Sequence, residues 1–317
     1  MRRALLLYAI GTFLTAYPFP AGTLEQWRFT GVLQRLGLVY LVVALLYVTC
    51  AWSMQPGRRA GRLLARAFLL GGFPFGCIAL WTVATYTFHS PWPECADIHG
   101  LVRDCSLEAY LDTGLWGVQH NFNGAKFDPE GPLSTLVAVV NCWAGLVLGM
   151  DIVRHEQRYR TAGGVRGRAF ALIAVGALCV VAGLALGLVI PIGKQLWTPS
   201  YALVTTGIMT VGFGVVMLAF DGGLRPAAPV CGGTLVALGR NPLFFYVLSE
   251  LVTDTLNCIP ARYHGEEGTL WSVGAQVTLA SWLPGPLASA VWALLWLVLF
   301  YAPLARLLAA RGWHFRV

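Results

Sequence analysis

Long apolar runs alternate with short, arginine-rich breaks along the whole chain. Runs of about 20 mostly apolar residues, the length a helix needs to cross a hydrocarbon core, cover 30–54, 64–88, 132–153, 169–190, 200–221, 233–256 and 286–308. An eighth run, 4–17, is shorter and follows Met-Arg-Arg, as a signal peptide would; we read it as a retained span. The runs are unbroken helical lengths, unlike the roughly ten-residue alternating strands of a membrane barrel. The expected fold is therefore all-α, a polytopic transmembrane helical bundle of about eight spans that forms a single domain over 1–317. Residues 89–131 make a long polar loop on one side of it, and 257–284 a second, moderately polar one.

Composition supports the same picture. The 317 residues are 57% hydrophobic and 12% charged, against about 25% charged in a soluble domain, so the lipid bilayer is the first partner. The net charge of +7 does not point to nucleic acid, because the arginines lie between apolar runs and not on one amphipathic face. They report topology instead. With the N-terminus cytoplasmic, 15 of the 22 basic residues fall on the cytoplasmic side, five fall on the other, and Arg35 and Arg240 remain inside spans. The eight cysteines include no CxxC pair, and no metal site is read. Cys95 and Cys105 share the 89–131 loop. In an oxidising compartment they form a disulfide, and otherwise they remain two free thiols.

Ionisable groups inside a bilayer are costly and face a bundle interior or a wet cavity. Arg35, Arg240 and Glu250 are of this kind. Glu250 and Asp254, at i and i+4, share a helix face; they serve acid–base chemistry, or Glu250 is a structural partner for Arg35 at similar depth. Pro242 should distort its span, leaving Asn241 to bind a ligand or the neighbouring backbone. Asp128 and Glu130, just before the run at Pro132, are placed to cap a helix N-terminus. His120 in "GVQHNFNG" has a side chain suited to base catalysis, although a solvated loop histidine is the simpler reading. Lys194 and Trp197 sit in "IPIGKQLWTPSY", where a snorkelling lysine and an interfacial tryptophan would be ordinary. The bracketing Pro191 and Pro199 suggest a shaped connection.

Four segments, "GVLQRLGLVYLVVALLY", "FDPEGPLSTLVAVVNCWAGLVLG", "IPIGKQLWTPSYALVTTG" and "LGRNPLFFYVLSELV", occur in an order and spacing that resembles the heparan-α-glucosaminide N-acetyltransferase family and its bacterial relatives. The resemblance covers the chain from about Ala4 onward. It implies a multi-pass acyltransferase that takes acetyl from cytoplasmic acetyl-CoA, a co-substrate and not a bound cofactor. The acceptor is a terminal glucosamine of a heparan-type glycan on the lumenal or periplasmic side. The implied address is the lysosome in a eukaryote and the inner membrane in a bacterium. Under this resemblance Gln34, Arg35, Asp128, Glu130, Lys194, Trp197, Asn241 and Glu250 form the candidate binding set, and Lys194 and Trp197 stand at the mouth of the transfer site. The family's transfer histidine and a nearby asparagine belong to a segment upstream of the one matching "RRALLLYAIG". The chain is thus expected to be N-terminally shortened, with little or no transfer, and no catalytic residue is carried over. Alternatives are a transporter or binding protein for a polar or anionic small molecule, or an inactive remnant. Oligomeric state is not encoded in these patterns.

The arginine distribution predicts that single cysteines placed at Gly61, Gly163 and Gly312 react with an impermeant thiol reagent from the cytoplasm. One at Gly124 should react from the opposite side, and labelling of Gly124 from the cytoplasm would invert this topology.

Overall fold

Prolines and hydroxyl side chains set the helix starts. Pro132, Pro199 and Pro242 each stand in the first turn of a helix, where the missing N–H removes no bond and φ is already helical. Ser106 and Thr198 accept hydrogen bonds from the free amides of Ala109 and Tyr201, and Thr269 with Ser272 forms a capping box. The structure, a computed structural model, describes residues 1–20, 24–53, 59–96, 98, 101–159, 161–221, 229–263, 266–280 and 282–315.

Two compact units result. The first, Met1–Thr15 with Leu24–Arg225, holds α1 (Arg2–Ala16), α2 (Val32–Ser53), α3 (Arg59–Ala67), α4 (Phe73–Thr87), α5 (Leu107–Trp116), α6 (Pro132–Arg154), the one-turn α7 (Glu156–Tyr159), α8 (Ala162–Leu186) and α9 (Pro199–Phe220). The second, Ala16–Thr23 with Pro226–Val317, holds α10 (Pro229–Arg240), α11 (Pro242–Cys258), β1 (Pro260–Tyr263), β2 (Glu266–Thr269), α12 (Leu270–Ala275), α13 (Gly285–Trp296) and α14 (Ala302–Ala310). The antiparallel β1–β2 hairpin lies in a segment that the sequence pattern marks only as a loop.

The chain is an all-α multi-pass membrane bundle. Among the described residues six helical stretches are long and apolar enough to cross a membrane: Val32–Ala51, Leu63–Thr87, Pro132–Arg154, Gly163–Leu186, Pro199–Phe220 and Gly285–Ala310. A seventh is possible if Gly233–Arg240 and Pro242–Cys258, bent by 82° at Asn241, count as one; Pro242 has broken this run as its chemistry requires. The expected eighth span is a helix, α1, of 15 residues. At 1.5 Å per residue it reaches about 22 Å, short of the roughly 30 Å hydrocarbon core. The Leu63–Thr87 stretch passes through a π turn at Phe68–Gly72, and the Leu69 carbonyl inside that turn accepts the indole N–H of Trp143 at 2.6 Å.

The closest helix pair is α8 with α9. A side chain added at Gly207 would lie 2.6 Å from the Gly176 carbonyl, one at Gly214 2.9 Å from that of Ala169, and one at Gly183 3.0 Å from that of Ser200. The three contacts recur every seven residues in one antiparallel register, so the backbones approach along the full seam. In lipid, where apolar burial does not drive association, such close packing of small residues holds helices together. The outer faces carry exposed apolar side chains such as Leu178 and Val181, suited to acyl chains.

Gly207→Val should therefore push the two backbones apart and cost about 1–3 kcal/mol or more, seen as a lower Tm in detergent. Gly212→Ala, on a face with open space around it, should leave Tm nearly unchanged; equal effects of the two would show that the seam does not hold the pair together.

Candidate functional site

The starts of α2, α6 and α9 meet on one side of the first unit, and the polar residues around them converge there. The loop that enters α2 brings Arg28. Its Nε donates to Asp128 Oδ2 at 2.7 Å and its Nη2 to Asp128 Oδ1 at 2.6 Å, and it also pairs with Glu130. Asp128 is fully buried. It accepts the backbone N–H groups of Phe122 and Glu130, both at 2.9 Å, and its own N–H donates to Asp112 Oδ2 at 2.9 Å. The guanidinium of Arg28 also lies 4.8 Å from the Phe122 ring centroid.

One turn into α2, buried Arg35 donates to the Pro129 carbonyl and to Ser134 Oγ, the latter at 2.6 Å. Its guanidinium stands 4.7 Å from the centroid of the Trp197 ring. Trp197 in turn donates its indole N–H to Asn141 Oδ1 at 2.8 Å, and Asn141 donates to Thr206 Oγ1 at 2.7 Å. Trp197 has φ of +49°, a conformation costly for a large side chain. The turn around it makes that conformation available: Trp197 N–H bonds the Lys194 carbonyl, Thr198 N–H bonds the Gly193 carbonyl, and Gly193 N–H bonds Thr198 Oγ1. The 191–199 connection is indeed shaped, and its shape aims an indole over an arginine.

Several expectations change on this geometry. Asp128 and Glu130 do not cap α6; its N-cap is Gly131, with no side-chain cap, and the two carboxylates pair with Arg28. Arg35 draws compensating charge from Glu130 and Asp128, and Glu250, in the second unit, hydrogen-bonds Tyr246 of its own helix. Asn241 binds backbone: its Nδ2 donates to the Trp313 carbonyl at 3.1 Å and its Oδ1 accepts from Phe315 N–H at 2.8 Å. Gln34 is buried against Gly11 and Gly31, where a Cβ would come within 2.3 and 2.6 Å of its Oε1, so it packs α1 on α2. Lys194 is exposed, and its side chain makes no hydrogen bond or ion pair among the described residues. His120 is no free loop histidine. Its Nδ1 lies 2.8 Å from the Trp27 carbonyl, and its ring lies 4.8 Å from that of Phe29. Cys95 and Cys105 are joined, with Cα atoms 5.7 Å apart.

Arg28, Glu108, Asp112, Ser134 and Asn141 were absent from the residues singled out by sequence. A signal existed for some of them. Glu108 and Asp112 lie four apart in a short helix rich in apolar residues, and Asn141 is a lone amide in an apolar run. Both helix carboxylates are buried, and Glu108 accepts the Trp81 indole N–H at 3.0 Å. Burial pushes the Glu108 carboxyl up, against the pull of the Trp81 bond. Burial likewise raises Asp112 to about 7, with the Asp128 N–H opposing and the Asp128 and Glu108 charges adding. Asp128 behaves differently. Burial would raise it, yet the Arg28 hydrogen bonds and charge hold it below the usual range. No group of three or more His, Cys, Asp or Glu side chains among the described residues could hold a metal ion.

No family profile matches the chain. The heparan-alpha-glucosaminide N-acetyltransferase of Homo sapiens is 27% identical over 289 residues, which cover 78% of this chain and 41% of that protein. The protein of the same name from Mus musculus is 26% identical over 296 residues, covering 80% and 42%. The chain thus spans about two-fifths of the length of the curated relatives it matches, and it is distantly related to them.

Because Asp112 is raised in the folded state from 3.8 to about 7, its contribution to stability is full below pH 3.8 and is lost as pH rises through 7. At 1.36 kcal/mol per pKa unit the span is on the order of 4 kcal/mol. Asp112→Asn keeps an acceptor for Asp128 N–H without the charge. It should flatten the fall in Tm between pH 5 and 8 and stabilise the protein most at the alkaline end. A variant with the wild-type pH profile would show that Asp112 is not the group responsible.

Proposed function

We propose that this distant relative of the heparan-alpha-glucosaminide N-acetyltransferases is itself a membrane-embedded acetyltransferase, moving acetyl from cytoplasmic acetyl-CoA to the amine of a glucosamine-type acceptor on the opposite side. One observation carries the reading. Three of the four segments that bear the resemblance, distant in sequence, supply adjoining parts of one buried network: Arg35 from α2, Asp128, Pro129, Glu130 and Asn141 from the second segment, and Trp197 from the third. A cluster built of fixed charges and an indole suits a polar, cationic sugar; Glu130, at 17% side-chain exposure, offers a carboxylate to an ammonium, and Trp197 offers an apolar face to a pyranose ring.

An ammonium cannot attack a thioester, so transfer needs a proton acceptor. His120 has the geometry for one. The Trp27 carbonyl can only accept, so Nδ1 carries the proton and Nε2 keeps its lone pair, the arrangement that orients a catalytic imidazole. The acceptor's ammonium gives one proton to Nε2. The freed lone pair forms the C–N bond while the C–S bond breaks, and the remaining exchangeable proton ends on the departing CoA thiolate. Lys194, exposed beside Trp197, is assigned to an anionic group of the acceptor, and the bilayer and acetyl-CoA are the remaining partners.

Purified protein in liposomes, given acetyl-CoA and glucosamine, should form N-acetylglucosamine. His120→Ala should lower kcat by about 10²–10⁴, and His120→Gln should not restore it. Sugar flux without acetylation would replace this reading with that of a transporter. Transfer that survives His120→Ala would remove the histidine from it.

A further inference from the structure

A cavity of about 270 Å³ in the first unit lies beside the C-terminal end of α4. Two features of its wall belong to one kind of chemistry. The first is the Cys95–Cys105 bridge, both of whose cysteines line it. Cys95 is buried, whereas Cys105 is half-buried. The second is His89, which lines the same cavity and is exposed. Its Nδ1 lies 3.1 Å from the Thr87 carbonyl. A carbonyl can only accept, so Nδ1 carries the proton and Nε2 keeps its lone pair. A disulfide and an imidazole base therefore border one small space.

Thiol–disulfide exchange needs a thiolate and access to one sulfur. A free thiol has a pKa of about 8.5, so only about 3% of it is ionised at pH 7, and a neighbouring imidazole with a free lone pair raises that share. We propose that this cavity is an exchange site for a small organic thiol, with His89 as the proton acceptor and the Cys105 sulfur as the point of attack. His89 Nε2 takes the thiol proton. The thiolate sulfur bonds Cys105 Sγ as the Cys95–Cys105 bond breaks, and the proton passes to the departing Cys95 sulfur. Cys95 is left as a buried thiol, a state it tolerates because free cysteine packs as a small apolar side chain. A second thiol molecule then attacks the mixed disulfide and releases Cys105, so two thiols are oxidised and one protein bridge is reduced. The effect reaches α5. Cys105 directly precedes Ser106, whose Oγ accepts the Ala109 N–H at the start of α5 and donates to the Arg103 carbonyl at 2.7 Å. The same helix carries Asp112, which holds the Asp128 N–H. Opening the bridge therefore loosens the anchor of α5, whether or not the protein transfers acetyl.

The test treats the full chain in nanodiscs with 2-mercaptoethanol, then alkylates the freed cysteines and locates them by mass spectrometry. The small thiol should open the bridge, leaving the mixed disulfide on Cys105 and the alkyl label on Cys95. His89→Ala should slow opening about tenfold at pH 7, within the roughly 30-fold that full ionisation of the thiol could give. At about pH 9.5, where the thiol ionises unaided, the variant should match wild type. Opening should also speed hydrogen exchange at the Ala109 amide, which Ser106 Oγ holds in the closed form. A bridge that resists the small thiol, a mixed disulfide on Cys95, or unchanged exchange at Ala109 overturns the proposal. So does a His89→Ala variant that opens as fast as wild type at pH 7, or one slowed equally at both pH values, as a purely structural role would make it.

Discussion

An arginine withdrawn from water cannot shed its charge by losing a proton, so its surroundings must supply the opposite one. Arg28 and Arg35 impose that demand at the same end of the first unit. The 127–131 loop meets it with Asp128 and Glu130, two cations against two carboxylates. For the further buried acids Asp112 and Glu108, burial outweighs the pull of the Arg35 charge on the first and of the Trp81 bond on the second, and drives both toward the neutral form. The backbone follows the charges. Asp128 gathers the N–H groups of Phe122 and Glu130, and Arg35 takes the Pro129 carbonyl, so the loop is held at both faces and α6 starts from a fixed point.

The rest of the site hangs from this arrangement. Trp197 keeps a positive φ because its indole is held between the Arg35 guanidinium and the Asn141 amide, while the turn beneath it is closed by Thr198. The glycine seam between α8 and α9 serves the same end by a different force. It fixes the base of the hairpin whose tip presents Trp197, using close backbone contact where the hydrophobic effect has no purchase in lipid. The second unit follows a separate logic, in which Asn241 holds the backbone at Trp313 and Phe315 at the point where α10 and α11 part by 82°.

What could be read from the sequence by itself follows one physical rule: local constraints are visible in local patterns. Bilayer thickness sets the length of an apolar run, so the long helices, their order and the all-α class were legible, as was the break at Pro242. Run 4–17 fell outside that rule, since composition alone does not say whether about four turns suffice to cross. The participants in the site were partly legible too, because Arg35 and the Asp-Pro-Glu-Gly loop are polar where apolar residues are expected. Their pairing was not. The helix-start position of Asp128 and Glu130 suggested capping. Only the tertiary structure decided otherwise, because a charge pairs with whatever carboxylate the fold brings within about 3 Å, and Arg28 finds Asp128 one hundred residues away.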